Sequence, residues 1–363
     1  MINIHTEWDP LKEIVVGNIG KWSNIHPDFS FLLYYQDNVK NVFLENSIEL
    51  QQHVIKQRQE DLDQMARVLS SRGVIVHRPL PLQKLHPFET PEFKDWPSAC
   101  HNPRDQFLVM GNEIIETSCQ WRKRYFENDF MKPILLEQFR QGAKWTSAPR
   151  PAMGMNSFDL EHIKTFGNAE KILENWTETP SALEIMFDGA QCLKFGKDIV
   201  MNIRTKNHEL GLKWLQRHFE DRYRFHPVAL TDNHIDGMFM PLSEGKLLIN
   251  SGSMKSKIHL LPKFLKSWDI IEPKSASSET INSQERGEVA LASSNININV
   301  LPLGPTETMI FDSTPDGDNP LRELLLKYGF ETTHVRMRHC RLFDGGIHCA
   351  SLDLDREGDY REV

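Results

Sequence analysis

A thiol, an imidazole and three carboxylates stand close to apolar runs or glycines in this sequence. Cys349 closes the run Gly345-Gly346-Ile347-His348-Cys349, and His234 and Asp236 share Asn233-His234-Ile235-Asp236-Gly237. Asp188 sits in Met186-Phe187-Asp188-Gly189, and Asp105 in Arg104-Asp105-Gln106-Phe107. Each has a structural alternative when taken alone. A cysteine is more often a small buried hydrophobe than a nucleophile. His234 and Asp236, two apart, would share one face of a strand and could be a solvated polar pair. Asp188, inside an apolar run, needs a partner: backbone N–H groups or a histidine that it orients. Asp105 could pair with Arg104 or cap the entry to a strand. Together the residues describe an acidic site around one soft nucleophile. A thiol is partly ionised and strongly nucleophilic near neutral pH, and a neighbouring histidine can move protons. Carboxylates match the donors of a planar cation two by two. The set therefore suits thiolate attack on the central carbon of a guanidinium. The cysteines at 100, 119, 192 and 340 lack a preceding glycine turn and read as structural.

The elements that must position these residues are strands in hairpins. Arg104–Glu116, Met186–Asn202, His234–Asn250 and Asn297–Asp312 each read as a short apolar strand, a turn and a second apolar strand. Their turns are expected at Gly111-Asn112, near Gly196-Lys197, near Glu244-Gly245 and near Gly304-Pro305. The first three carry Asp105, Asp188 and Asp236 at the start of the first strand, and the fourth carries Asn299. This is a weak internal repeat, and units of this kind arranged about an axis would bring those polar strand starts together. Helices are expected over Ser47–Arg72, 211–220, 320–330 and 121–141. The segment 272–295, rich in Ser, Glu and Asn, reads as a mobile surface loop or a lid.

The totals exclude several classes of function. The 363 residues carry 42 Lys and Arg against 50 Asp and Glu, a net charge of −8, which argues against a nucleic-acid partner. No apolar stretch approaches the roughly 18 residues a membrane span needs, and the N-terminus does not read as a signal peptide. Scattered cysteines with no paired spacing argue against a zinc site and for reduced thiols in a cytoplasmic protein.

The segments EWDPLKEIVVG, NPRDQFLVMGNEIIE with the following WRKRYFE, FDGAQCLKFGKDI, HIDG, NVL and GGIHCASLDLDREG cover nearly the whole chain. In them the sequence resembles the arginine amidinotransferases, the family of glycine, inosamine-phosphate and lysine amidinotransferases. The resemblance implies an α/β fold of the pentein type: a single domain over 1–363, built as a five-bladed α/β propeller of pseudo-fivefold units around a central site. It implies Cys349 as nucleophile, His234 as general acid and base, and Asp188 as its orienter. Asp105 and Asp236 would hold the guanidinium, and Ser293 would lie near the carboxylate of the donor. Neither metal nor organic cofactor is implied. The expected partners are L-arginine, an acceptor amine and a second copy in a homodimer. A guanidino hydrolase and a non-catalytic propeller are the alternatives. The chain departs from the family in three places. Gln191 replaces the second acid of FDAAD, Asn233 stands where glycine-type enzymes have Met, and the arginine expected after HIDG is absent from Asn250–Met254, with Lys255 and Lys257 nearby. The departure at Asn233 favours a longer amino-acid amine, such as lysine, as acceptor.

Overall fold

A computed structural model describes residues 2–35, 47–165, 169–174, 178–231, 234–274, 291–292, 296–312 and 320–363. Strand β1 (Leu11–Val16) opens the chain, followed by a short helix, α1 (Phe29–Tyr34), and a long one, α2 (Gln52–Ser71). Helix α2 delivers the chain to β2 (Ile75–His77), which runs parallel to β1. A small ribbon of β3 (Phe88–Glu89) and β4 (Lys94–Asp95) then leads to a single turn, α3 (Pro103–Gln106).

One plan is then repeated four times: an antiparallel hairpin, a connection, and a third strand parallel to the second. The first unit is β5 (Phe107–Met110), β6 (Glu113–Glu116), α4 (Lys132–Arg140) and β7 (Lys144–Ser147). Two short helices, α5 (Leu160–Ile163) and α6 (Ala169–Glu174), precede the second. That unit is β8 (Cys192–Phe195), β9 (Asp198–Asn202), α7 (Lys206–Phe219) and β10 (Arg224–Val228). The third unit, β11 (Phe239–Ser243), β12 (Lys246–Ile249) and β13 (Asp269–Ile271), is connected by 3-10 turns. The fourth is β14 (Leu301–Gly304), β15 (Glu307–Asp312), α8 (Pro320–Lys327) and β16 (Glu331–Arg336). The last strand, β17 (Ser351–Arg356), pairs antiparallel with β1. Among the described residues there are thus five three-stranded sheets, each small and separate.

Helix α2 shows why these sheets need their helices. Ile55, Leu62, Met65 and Leu69 fall on one face and share a core with Val16, Val335 and Met337. On the same helix buried Asp61 accepts from Arg336 Nε at 2.8 Å and from the Arg338 backbone N–H at 2.7 Å, tying α2 to the end of β16.

Three local expectations change. Residues 121–141 are not one helix: 3-10 turns at Arg122–Arg124 and Glu127–Met131 come first, and α4 starts with Pro133 in its first turn. Proline at N1 suits a helix start but breaks a helix that runs through it. His234 and Asp236 do not lie on a strand, because a turn through Gly237 precedes β11. Asp188 is not inside a strand either. It is the N-cap of a 3-10 turn, Gly189–Gln191, ahead of β8.

Candidate active site

The head of each sheet's leading strand supplies one polar residue. Asp105 lies just before β5, Asp188 before β8, Asp236 before β11, Asn299 before β14 and Cys349 before β17. All five are buried. Tight glycines allow the turns that carry them to meet. A Cβ on Gly189 would lie 2.0 Å from the Phe107 carbonyl oxygen, so the turn of Asp188 packs directly on that of Asp105. A Cβ on Gly345 would lie 2.5 Å from Cys349 Cβ, and one on Gly346 would lie 2.9 Å from Asn299 Oδ1. The Gly-Gly pair is therefore a requirement of space around the thiol.

Asp188 is in hydrogen-bond reach of the histidine. Its Oδ2 lies 3.0 Å from His234 Nε2 and accepts from the Tyr34 hydroxyl at 2.8 Å, while that hydroxyl lies 2.9 Å from the same Nε2. With Nε2 engaged, Nδ1 is left towards Asp105, 3.6 Å from its Oδ1. His234 and Asp236, two apart in the chain, find different partners. Asp236 Oδ2 lies 2.7 Å from His348 Nδ1 and 3.3 Å from Cys349 Sγ. Asp105 does not pair with Arg104. Its Oδ2 accepts from Arg124, whose guanidinium also meets both oxygens of Glu127 at 2.7 Å.

Charge sets the protonation states. Burial works against a charge on His234, but Asp105 and then Asp188 outweigh it and hold its pKa up to about 10. Burial, followed by Asp236, Asp105 and Asp344, pushes the Cys349 thiol well above its ordinary range. Burial also raises Asp236, yet the hydrogen bond from His348 brings its carboxyl below the usual range. At neutral pH the resting site thus pairs a protonated imidazole with a protonated thiol. One oxygen each of Asp105, Asp188 and Asp236, in every case Oδ1, is buried without a hydrogen-bond donor.

No family model matches the chain. It is 30% identical over 378 residues to the L-arginine:L-lysine amidinotransferase of Pseudomonas savastanoi pv. phaseolicola, covering 98% of this chain and 94% of that one. The chain belongs to the amidinotransferases. Over 361 residues this amidinotransferase is 30% identical to inosamine-phosphate amidinotransferase 1 of Streptomyces glaucescens, covering 99% and 97%. Its structure matches that of an amidinotransferase of saxitoxin biosynthesis from Microseira wollei with a TM-score of 0.81, 30% identity and 99% of both chains covered. A dimethylarginine dimethylaminohydrolase, at 15% identity and a TM-score of 0.53 over 94% of this chain and 99% of that one, shares the fold.

Several residues around the site of this transferase are not legible from motifs. Glu7 sits behind His348, with Oε2 3.4 Å from its Nε2 and Oε1 2.7 Å from Lys194 Nζ. Arg104 donates to the His348 carbonyl at 2.7 Å and to Asp353 at 2.7 Å. Both stand among polar neighbours in the sequence, so nothing local marks them as buried or says which partner they find. The amidinotransferase departures also have physical readings. Gln191 Oε1 accepts from the Asp188 backbone N–H at 2.8 Å and its Nε2 donates to the Asn202 carbonyl at 2.8 Å, so the amide holds the turn that carries Asp188. Lys257 donates to the Leu230 carbonyl, and Lys255 pairs with Glu272 at 2.9 Å. Ser293, Asn233 and most of 272–295 lie outside the described residues.

Asp105, His234 and Cys349 offer ligand atoms within 4.8 Å of one another, a spacing that could hold a metal ion. Such an ion would find Asp105 Oδ1 without a donor but would have to displace the proton from His234.

Proposed function

We propose that the chain moves the amidino group of L-arginine, through a covalent amidino-Cys349, to an acceptor amine and releases L-ornithine. The observation that carries this reading is the pair of buried, donorless carboxylate oxygens on Asp105 and Asp236, two carboxylates that flank Cys349, with a third on Asp188 behind His234. A buried acceptor without a donor calls for one from a ligand, and a guanidinium supplies several in one plane with the opposite charge. Its positive charge also offsets the carboxylates that, after burial, keep the thiol protonated, so the sulfur can give up its proton as it attacks.

In the first half-reaction the sulfur–carbon bond forms at the guanidinium carbon and the bond from that carbon to the δ-nitrogen breaks. Protonated His234 gives its proton to the leaving nitrogen and takes up the thiol proton in its place. Ornithine departs with an uncharged δ-amine, and the amidino group on Cys349 keeps the positive charge. In the second half an uncharged acceptor amine attacks, gives its proton back through His234 and restores the thiol. Lysine, or an amine of similar length, is the acceptor we favour. We read the 363 residues as one cytoplasmic domain in which the five sheets stand as blades of a pentein propeller around the site.

The test is incubation with arginine alone. A transferase releases at most about one ornithine per site and stalls, with the protein heavier by one amidino group on Cys349. Adding lysine restarts turnover and yields a new guanidino compound. Sustained formation of citrulline and ammonia that no amine accelerates overturns the transfer step in favour of hydrolysis.

A further inference from the structure

Asn299 occupies the strand-head position that three other units fill with aspartate. Its side chain is fully buried. The Oδ1 atom accepts from two backbone N–H groups, those of His348 at 3.1 Å and Cys349 at 3.1 Å. The Nδ2 atom lies 3.2 Å from Cys349 Sγ and 3.4 Å from the Asp236 carbonyl oxygen. The orientation of this amide is dictated by its surroundings. Backbone N–H groups only donate, so the oxygen must face them and the N–H donors must face the sulfur.

A carboxylate would satisfy the two backbone donors equally well, so they do not explain an asparagine here. The sulfur does. Burial and the nearby Asp236, Asp105 and Asp344 all oppose its ionisation. Aspartate at 299 would add a further anion beside it. Asparagine has the same shape but turns one of its two ends into a donor. A thiolate accepts a hydrogen bond far more strongly than a thiol, so this contact gains strength when the sulfur ionises. Gly346, which has no room for a Cβ against Asn299, lets the amide reach that position.

We propose that Asn299 is a catalytic residue: its Nδ2–H stabilises the Cys349 thiolate as attacking group in the first half-reaction and as leaving group in the second. The proposal rests on the reading of Cys349 as nucleophile. Asn299 itself neither gains nor loses a proton, and the thiol proton follows the His234 route given above.

The experiment is a pH profile of Cys349 alkylation by iodoacetamide in the wild type, Asn299→Asp and Asn299→Ala, with Cys349→Ser subtracting the other thiols. The apparent thiol pKa is expected to rise by at least about one unit in Asn299→Asp and by less in Asn299→Ala. Single-turnover amidination by arginine should fall about 100-fold in Asn299→Asp, the usual cost of removing one such donor. Its thermal unfolding should stay close to wild type, since the backbone bonds survive. A folded Asn299→Asp with an unchanged alkylation profile overturns the proposal. If that variant does not fold, the Asn299 side-chain amide resonance is followed in the wild type. It should shift with the pKa measured for Cys349, and an amide signal indifferent to that titration overturns the proposal equally. Turnover surviving in Cys349→Ser would instead overturn the nucleophile assignment, whatever the titration of the sulfur shows.

Discussion

Cys349→Ser keeps the size of the side chain and removes the only atom of the site that can attack as a soft anion. A hydroxyl without a dedicated base does not replace it. Less than about a tenth of wild-type turnover should survive, a barrier increase above ~1.4 kcal/mol, with unfolding unchanged. A faster variant moves the nucleophile elsewhere. Asp105→Asn and Asp236→Asn each keep shape and lose charge where a donorless oxygen waits. Each should cost arginine use about 2–5 kcal/mol in kcat/KM, the range for removing one partner of a desolvated charge pair. Unchanged steady-state kinetics would place the guanidinium elsewhere. His234 gives a pH test. Its pKa stands at about 10 in the fold against an ordinary 6.5. A group raised on folding stabilises the fold while protonated, so this contribution is whole below about 6.5 and fades as pH climbs through about 10. Urea midpoints of the wild type and His234→Gln should therefore differ most near pH 6 and converge near pH 10. A gap that widens with pH contradicts the assignment. The thiol, the histidine and the carboxylates could be picked out of the sequence because each interrupts an apolar or glycine-rich run. Tyr34 and Glu7 could not, because a buried polar group is meaningful only through its partner, and theirs, Asp188 and Lys194, are distant in the chain.

The hairpin units were legible as pairs of apolar runs broken by a glycine-containing turn, and their turns fall close to where composition puts them. The pairing of third strands was not, since a short parallel strand such as β7 (Lys144–Ser147) has no turn to fix its register. Around 121–141 a helical pattern competes with the demand that Arg124 reach both Asp105 and Glu127, and two 3-10 turns result. The nucleophile turn is the most demanding element. Gly345→Ala places a methyl 2.5 Å from Cys349 Cβ, and relief requires the thiol to move. A displacement of about 1 Å can cost 10²-fold in rate. This variant should therefore lose turnover by about that factor, while overpacking costs about 1–3 kcal/mol of stability. Kinetics together with thermal melting check both numbers, and a fully active Gly345→Ala would show that the turn has slack.

At the scale of the molecule, the sheet that carries Cys349 is made from both ends of the chain. Its leading strand is β17 and its second strand is β1, paired from Leu11 with Arg356 to Val16 with Ser351. Asn3 Nδ2 adds bonds to the carbonyls of Arg356 and Gly358, each at 2.8 Å. This is the plan of the other four units with the hairpin loop left open. A circular permutant that joins the two ends by a short linker and reopens the chain at the Gly245 turn recreates the same arrangement in the unit of β11 and β12. It should fold and keep amidino transfer, as circular dichroism and product analysis would show. Collapse of that permutant would mean that the open position is not interchangeable. The placement of the thiol in this closing sheet also orders events during synthesis. Of the five strand heads, the one bearing sulfur leaves the ribosome last. A chain stalled before Cys349 can gather acidic residues around a cation but lacks the thiol that we propose attacks it, so cleavage of the carbon–nitrogen bond would wait for the last of the five strand heads.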